Sequence, residues 1–330
     1  MFRQAYDYQK WGGRVRRDEK AYHGRVLRSV EMAVLYGPCF RSIWTRALCL
    51  PGLEDLFESL VVELADFLGV TGDEAKARME SAWQNRAESA RARLPADKDG
   101  ASLRTYYSVQ EHGLLVSSYW HSLRPDSWAL HSVAALRDCM QFAEGNRVFE
   151  FGHGIGSTGL LFTAHGYEMT MGDVSPIYRD FARYRFRRRG LNADFIDVSS
   201  DEPPQATFDA VVSLDVLEHI PTPIQELRRL HAALRPGGVL VLNVVFGRDP
   251  SNPEHILHRR IGVLDRFRGI GFERLPSTLL TYYKRPLGLA RKALYRLQDV
   301  LDAASLDLAT RRMPLLWRLI HIMVPPDRLA

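Results

Sequence analysis

The run Val148-Phe149-Glu150-Phe151-Gly152-His153-Gly154-Ile155-Gly156-Ser157-Thr158 carries the most legible chemistry in this chain. An apolar segment turns through three alternating glycines into a helix start. A residue without Cβ takes positive φ freely and lets the backbone approach a ligand, and the unpaired N–H groups of the next helix favour electronegative atoms. The loop therefore reads as a nucleotide-cofactor site. A second apolar run, Tyr167 to Met171, ends at Gly172-Asp173, about 20 residues past the first glycine, where a ribose-binding carboxylate belongs. A dinucleotide fingerprint places its third glycine five positions after its first; here Gly152, Gly154 and Gly156 alternate and Glu150 precedes them, which weakens a nicotinamide reading.

Downstream, Phe208 to Ile220 contains Leu217-Glu218-His219, and Leu234-Arg235-Pro236-Gly237-Gly238 leads into the strand-like Val239 to Phe246. Blocks of this kind in this order resemble the class I S-adenosylmethionine-dependent methyltransferases, particularly the small-molecule branch that includes ubiquinone-pathway O-methyltransferases, over about Val133 to Lys284. The resemblance implies an α/β fold, a Rossmann-like sheet with helices on both faces, and S-adenosyl-L-methionine as cofactor. It also implies that Gly152, Gly154 and Gly156 approach the amino-acid and sugar portion of the cofactor, and that Glu150 helps fix the loop and the cofactor's amino group. Asp173 would take the ribose hydroxyls, Asp197 would lie near adenine N6, Val174 and Val198 would touch the ring, and the backbone at Leu214 and Asp215 would flank the methyl group.

The residues admit other readings. Asp173 could cap a helix, with Ser175 competing for that role, and Asp197 could merely end a strand in a turn. His219 and His255 are the candidate general bases. His255 falls on a loop after the fifth core strand, whereas His219 equally suits a cofactor-shell or packing role. His121 and Tyr107 are further candidates, and no residue set has metal-ligand spacing. Where amino-group nucleic-acid methyltransferases carry an Asp/Asn-Pro-Pro-aromatic stretch, this chain has Ser213-Leu214-Asp215-Val216, which disfavours a base-modifying enzyme.

Periodicity supplies the elements that must position these groups. Strands are expected at 147–151, 168–172, 194–197, 209–214 and 238–246, with helices at 157–165, 176–189 and 223–234. A further helix is expected from His255 to Arg268, and a terminal antiparallel pair from Gly271-Phe272-Glu273-Arg274 and Leu279 to Tyr283. Ahead of the sheet, Glu54 to Leu68 has helical periodicity, Thr71 and Glu74 form a capping box for a helix running to about Arg93, and Leu130 to Phe142 reads as a helix. The division is then a helical N-terminal unit over 1–100, an aromatic-rich helical connection and cap over 101–145, the cofactor-binding methyltransferase domain over 146–284, and a basic helical C-terminal extension over 285–330.

With 330 residues, 46% of them hydrophobic, the chain can bury a large core. Cys39, Cys49 and Cys139 show no disulfide or zinc pattern, and no apolar run approaches the roughly 20 residues of a membrane-spanning helix, so a cytoplasmic protein is expected. Charge is segregated: residues 1–30 hold eight basic against three acidic side chains and residues 251–330 fourteen against seven, while the stretch between is net acidic. The C-terminal extension could lie on a membrane surface, or cover the N-terminal helices or a partner subunit; no nucleic-acid partner is expected. Arg185, Arg187, Arg188 and Arg189 read as cations complementing a helix end before Gly190. The function expected is methyl transfer to a small-molecule acceptor, at oxygen of a secondary metabolite or quinone-like compound, with transfer to nitrogen or carbon, a catalytically silent binding or scaffold protein, or a dehydrogenase as alternatives.

Overall fold

The computed structural model describes residues 37–108, 111–124, 128–245, 252–256, 266–275 and 279–284. The basic segment 1–30 and the extension 285–330 lie outside them. No described helix is long and apolar enough to cross a membrane.

Short-range chemistry sets the N-terminal helices. Helix α1 (Gly37–Leu48) precedes α2 (Leu56–Leu68), whose cap Asp55 accepts from the N–H groups of Phe57 at 2.7 Å and Glu58 at 3.1 Å. Gly69 ends α2 in the left-handed region. Thr71 caps α3 (Gly72–Gln84) by accepting from the Glu74 N–H at 3.2 Å, as the Thr-x-x-Glu spacing predicts. The single helix expected up to Arg93 is in fact two, because Asn85 leaves the helical path at φ −98° and ψ 7° before α4 (Arg86–Arg93). Asparagine competes with helical backbone bonding and favours such ends. The set continues through α5 (Gly100–Ser108), α6 (Glu111–His121) and α7 (His131–Phe142).

The sheet has seven strands: β1 (Arg147–Phe151), β2 (Glu168–Asp173), β3 (Asp194–Asp197), β4 (Phe208–Leu214), β5 (Leu234–Asn243), β6 (Phe272–Arg274) and β7 (Leu280–Lys284). Their spatial order is β3-β2-β1-β4-β5-β7-β6. The first five pair in parallel, whereas β7 is antiparallel to both β5 and β6. Helices α8 (Ser157–Ala164), α9 (Pro176–Arg188), α10 (Pro223–Ala233) and α11 (Arg266–Ile270) complete the described framework.

Alternation along the strands builds a core on each face. Val148, Met169, Met171, Ala210, Val212, Val239 and Val241 pack with α7, α8 and α9, and α2 extends the same cluster through Phe57, Leu60 and Leu64. Phe149, Phe151, Val211, Leu240 and Leu242 pack with α10 and α11. The N-terminal helices are thus continuous with one core, where burying each large apolar side chain is worth ~2 kcal/mol.

Two local expectations are revised. The helix expected from His255 to Arg268 does not begin at His255: residues 252–256 form a turn through Pro253 and Glu254, with the His255 N–H donating to Asn252 O at 3.3 Å. The arginines at the end of α9 are not all solvated helix-end cations either, since Arg185 is fully buried and bridges to the equally buried Glu63.

Candidate active site

The strand order reverses beside β1, whose neighbours are β2 and β4, and the crevice beyond the carboxyl ends of strands at such a point is where open α/β sheets bind ligands. The glycine loop enters it from β1. The Gly152 N–H donates to Gly172 O at 2.7 Å, and the Gly156 N–H to His153 O at 2.9 Å. His153 Nδ1 donates to Gly154 O at 2.7 Å while its ring packs edge-on against Phe195, so this histidine locks the loop.

Two of the glycines answer to different demands. At Gly152, with φ +79°, a Cβ would lie 2.4 Å from Val216 Cγ2; at Gly154, with φ +50°, it would meet open space. Gly152→Ala is accordingly expected to cost ~2–3 kcal/mol of stability through left-handed strain and displacement of Val216. Gly154→Ala should cost only ~1 kcal/mol and register chiefly as lost cofactor affinity. Thermal melts and ligand titrations of the two variants check this contrast.

Asp173, at the end of β2 and 6% exposed, joins loop to strand: Oδ2 accepts from the Gly154 N–H at 2.9 Å and Oδ1 from the Ser175 N–H at 2.8 Å. It makes a turn with Ser175 rather than capping α9, whose first residue is Pro176. Asp197 ends β3 in a turn: its Oδ2 pairs with Arg179 at 2.8 Å and its Oδ1 accepts from the Ser199 N–H at 2.9 Å. Arg179 also donates to Asp173 O at 2.7 Å, which ties the two strand ends together. Val174 is half-buried, Val198 is buried against Gly172, and Leu214 lies partly exposed at the end of β4.

Glu150 is the electrostatic oddity of this half. Buried within β1, its carboxyl accepts from Thr158 and the Gly159 N–H, but Oε2 has no partner among the described residues. Burial, reinforced by Asp173, pushes its pKa up to about 8 against those two hydrogen bonds.

The other half gathers groups that are far apart in sequence. A 3₁₀ turn at Leu217–His219 follows β4, and the His219 and His255 rings meet edge to face with centroids 4.9 Å apart. The loop bearing His255 is tied to this turn because the Ile256 N–H donates to Glu218 O at 2.9 Å. Helix α5 closes over both: Tyr107 OH lies 3.1 Å from His219 Nδ1, and Tyr106 OH donates to Glu254 Oε1 at 2.7 Å. Burial lowers the His219 pKa to about 4, so that imidazole is neutral at pH 7 and a weak base. Asn252 Nδ2 lies 2.8 Å from His255 Nε2. His121 packs edge-on against Trp44.

Two carboxyls complete the cluster: Asp215, expected from sequence to contribute only its backbone, and Glu218, which had no expected role of its own. Asp215 holds φ +56°, a left-handed conformation uncommon for a residue with a Cβ, and accepts from Asn243 Nδ2 at 2.5 Å. Burial raises its pKa to about 7. Glu218 is fully buried; Oε1 accepts from the Val245 N–H at 3.1 Å, Oε2 has no partner among the described residues, and burial with Asp215 alongside raises its pKa well above the carboxylate range. The Leu-Glu-His stretch was the visible signal for Glu218, while nothing in the sequence marks the strained backbone at Asp215. No metal ligands were expected, yet Glu218, His219 and His255 present ligand atoms within 4.8 Å of one another and could hold a divalent ion.

A methyltransferase-domain family model matches residues 119–286, just over half of the chain. The chain belongs to that family. A ubiquinone biosynthesis O-methyltransferase of Alkalilimnicola ehrlichii is 27% identical over 179 residues, which is 50% of this chain and 70% of that protein. One from Xanthomonas campestris pv. campestris is 29% identical over 152 residues, covering 43% and 62%. Among solved structures, a TehB-like SAM-dependent methyltransferase of Corynebacterium glutamicum is 21% identical with TM-score 0.42, covering 53% of this chain and 98% of that one.

The protein is thus a class I methyltransferase dependent on S-adenosylmethionine, and its residues fit that cofactor. Open space faces Gly154, an unpartnered Glu150 oxygen suits a cationic amino group, and Asp173 offers a carboxylate at the strand end where ribose hydroxyls belong.

Proposed function

We propose that this methyltransferase methylates a hydroxyl of a small, hydroxylated aromatic acceptor of the quinone or secondary-metabolite kind, in the cytoplasm. The observation that carries the reading is the gathering of Tyr107, His219, His255 and Glu218 beside Asp215, at the carboxyl ends of β4 and β5 and beneath α5. Aromatic side chains from α5 and paired imidazoles suit a flat, hydrogen-bonding acceptor. The naming of two relatives as ubiquinone biosynthesis O-methyltransferases supports the choice of oxygen.

S-adenosylmethionine, when bound, supplies an electrophilic methyl carbon on a sulfonium. Glu150, the glycine loop and Asp173 hold the cofactor, and α5 with the 252–256 loop shields the reaction from water. His255 would accept the proton of the acceptor hydroxyl as that oxygen is methylated. His219, held against Tyr107, orients rather than accepts.

His255→Ala is expected to reduce kcat by ~10²–10⁴-fold while leaving S-adenosylhomocysteine binding intact. The assay is release of S-adenosylhomocysteine with a hydroxylated aromatic acceptor found by screening. Undiminished turnover by His255→Ala would remove it as the base, and no turnover of any hydroxylated acceptor alongside turnover of amines would move the reaction to nitrogen.

A further inference from the structure

We infer that the N-terminal helical unit holds the cofactor loop in its binding shape through the buried Glu63–Arg185 pair, which makes Arg185 a positioning residue for S-adenosylmethionine. The inference rests on the glycine loop being the cofactor site and concerns how that loop is set.

Arg185 on α9 and Glu63 on α2 are both fully buried, with Arg185 Nε 3.1 Å from Glu63 Oε2. One guanidinium nitrogen of Arg185 then donates to Ile155 O and to Ser157 Oγ, each at 2.9 Å. Those two residues flank Gly156, so a single side chain grips the loop on both sides of its last glycine. Arg189 adds a second cation on Glu63 and donates to Leu48 O, at the end of α1.

Docking of α2 on α9 does not require this arrangement. Removing two charges from water is costly, and apolar packing of equal volume commonly holds elements together as well or better. The same two helices are already joined by the solvent-exposed Asp66–Arg188 pair at 2.6 Å and by Phe67 packed on Phe181. What the buried pair adds is direction: contacts aimed at the loop. The loop in turn rests on α9 with no space to spare, since a Cβ at Gly156 would lie 2.8 Å from Ala182 Cβ, one turn before Arg185. A second hold comes from α7, where Ser132 Oγ lies 2.9 Å from the Thr158 hydroxyl that also bonds Glu150. Coupling between two sites is reciprocal, so a cofactor that selects the gripped loop must also steady α2.

The test titrates S-adenosylhomocysteine into the parent protein, Arg185→Lys, Glu63→Gln and Asp66→Asn, with circular dichroism to confirm folding. Arg185→Lys keeps a cation beside Glu63 but cannot reach Glu63, Ile155 and Ser157 together. Affinity is expected to fall about tenfold in Arg185→Lys and Glu63→Gln and to stay within about twofold in Asp66→Asn. A merely structural bridge would lower melting temperatures and leave affinity alone. Hydrogen exchange in the parent provides a measurement independent of any variant: the cofactor product is expected to slow exchange of α2 amides, which do not touch it. Unchanged affinity in folded Arg185→Lys, or unchanged α2 exchange on binding, would overturn the inference. A parent protein that binds no S-adenosylhomocysteine would instead overturn the cofactor-site assignment.

Discussion

Replacing Asp173 by alanine is expected to weaken S-adenosylhomocysteine binding at least about a hundredfold, the largest loss for any single side chain in the cofactor half. Hydrogen bonds to a charged group are worth ~1.5–3 kcal/mol each, and two ribose hydroxyls on one carboxylate account for ~3 kcal/mol or more. The loop suffers as well, because the Gly154 N–H at 2.9 Å and the Ser175 N–H at 2.8 Å both lose their acceptor. Asp173→Asn keeps one acceptor oxygen without the charge and should fall between parent and alanine. Calorimetric titration checks the order; an alanine variant that binds as the parent does would show that the carboxylate serves only the turn at Ser175.

The second large effect concerns pH and Glu150. Burial holds this carboxyl protonated up to about pH 8, so the folded state binds a proton that the unfolded chain releases near pH 4.5. A carboxyl raised in the folded state gives stability that is complete below its unfolded pKa and lost as pH rises through the folded one. The stability of the cofactor-free protein is therefore expected to fall between about pH 5 and pH 9, by on the order of 4 kcal/mol from this group. Glu150→Gln should remove that slope and melt higher than the parent at pH 9.

Cofactor affinity runs the opposite way. A cationic amino group beside the unpartnered Glu150 oxygen favours the ionised carboxylate, so binding expels a proton and tightens as pH rises toward 8. Calorimetry in two buffers of different ionisation enthalpy counts the proton. Asp215, raised to about 7, titrates in the same window, so the difference between parent and Glu150→Gln isolates Glu150. Proton release unchanged in that variant would place the cofactor's amino group elsewhere.

How much of this was legible beforehand varies with the range of the interaction. The Thr71–Glu74 cap, the strand beginning at Arg147 and the helix opened by Pro176 arise from neighbours in sequence, and the alternation of small and apolar residues around Gly152 announces a loop that only glycine can build. Asp173 is legible for the same reason, since one strand and one helix separate it from the loop. The break at Asn85 was missed because the amphipathic pattern runs through it, and the turn at His255 because helical spacing after Pro253 says nothing about the residue that starts it.

Unaided, the sequence determined the sheet and the glycine loop with its downstream acid, because periodicity, glycine placement and an acid at a strand end are local consequences of backbone geometry; the cofactor was implied by the resemblance those blocks carry. Only the tertiary structure decided which distant side chains share an environment. Tyr107 meets His219 across 112 positions and Glu63 meets Arg185 across 122, and no spacing rule encodes either meeting. Arg185 has the same composition context as its solvated neighbours Arg187 and Arg188, yet the turn of α9 carries it inward to an acid on another helix. Burial then sets the chemistry: the desolvation that raises Glu150, Asp215 and Glu218 and lowers His219 exists only once the chain has closed around them.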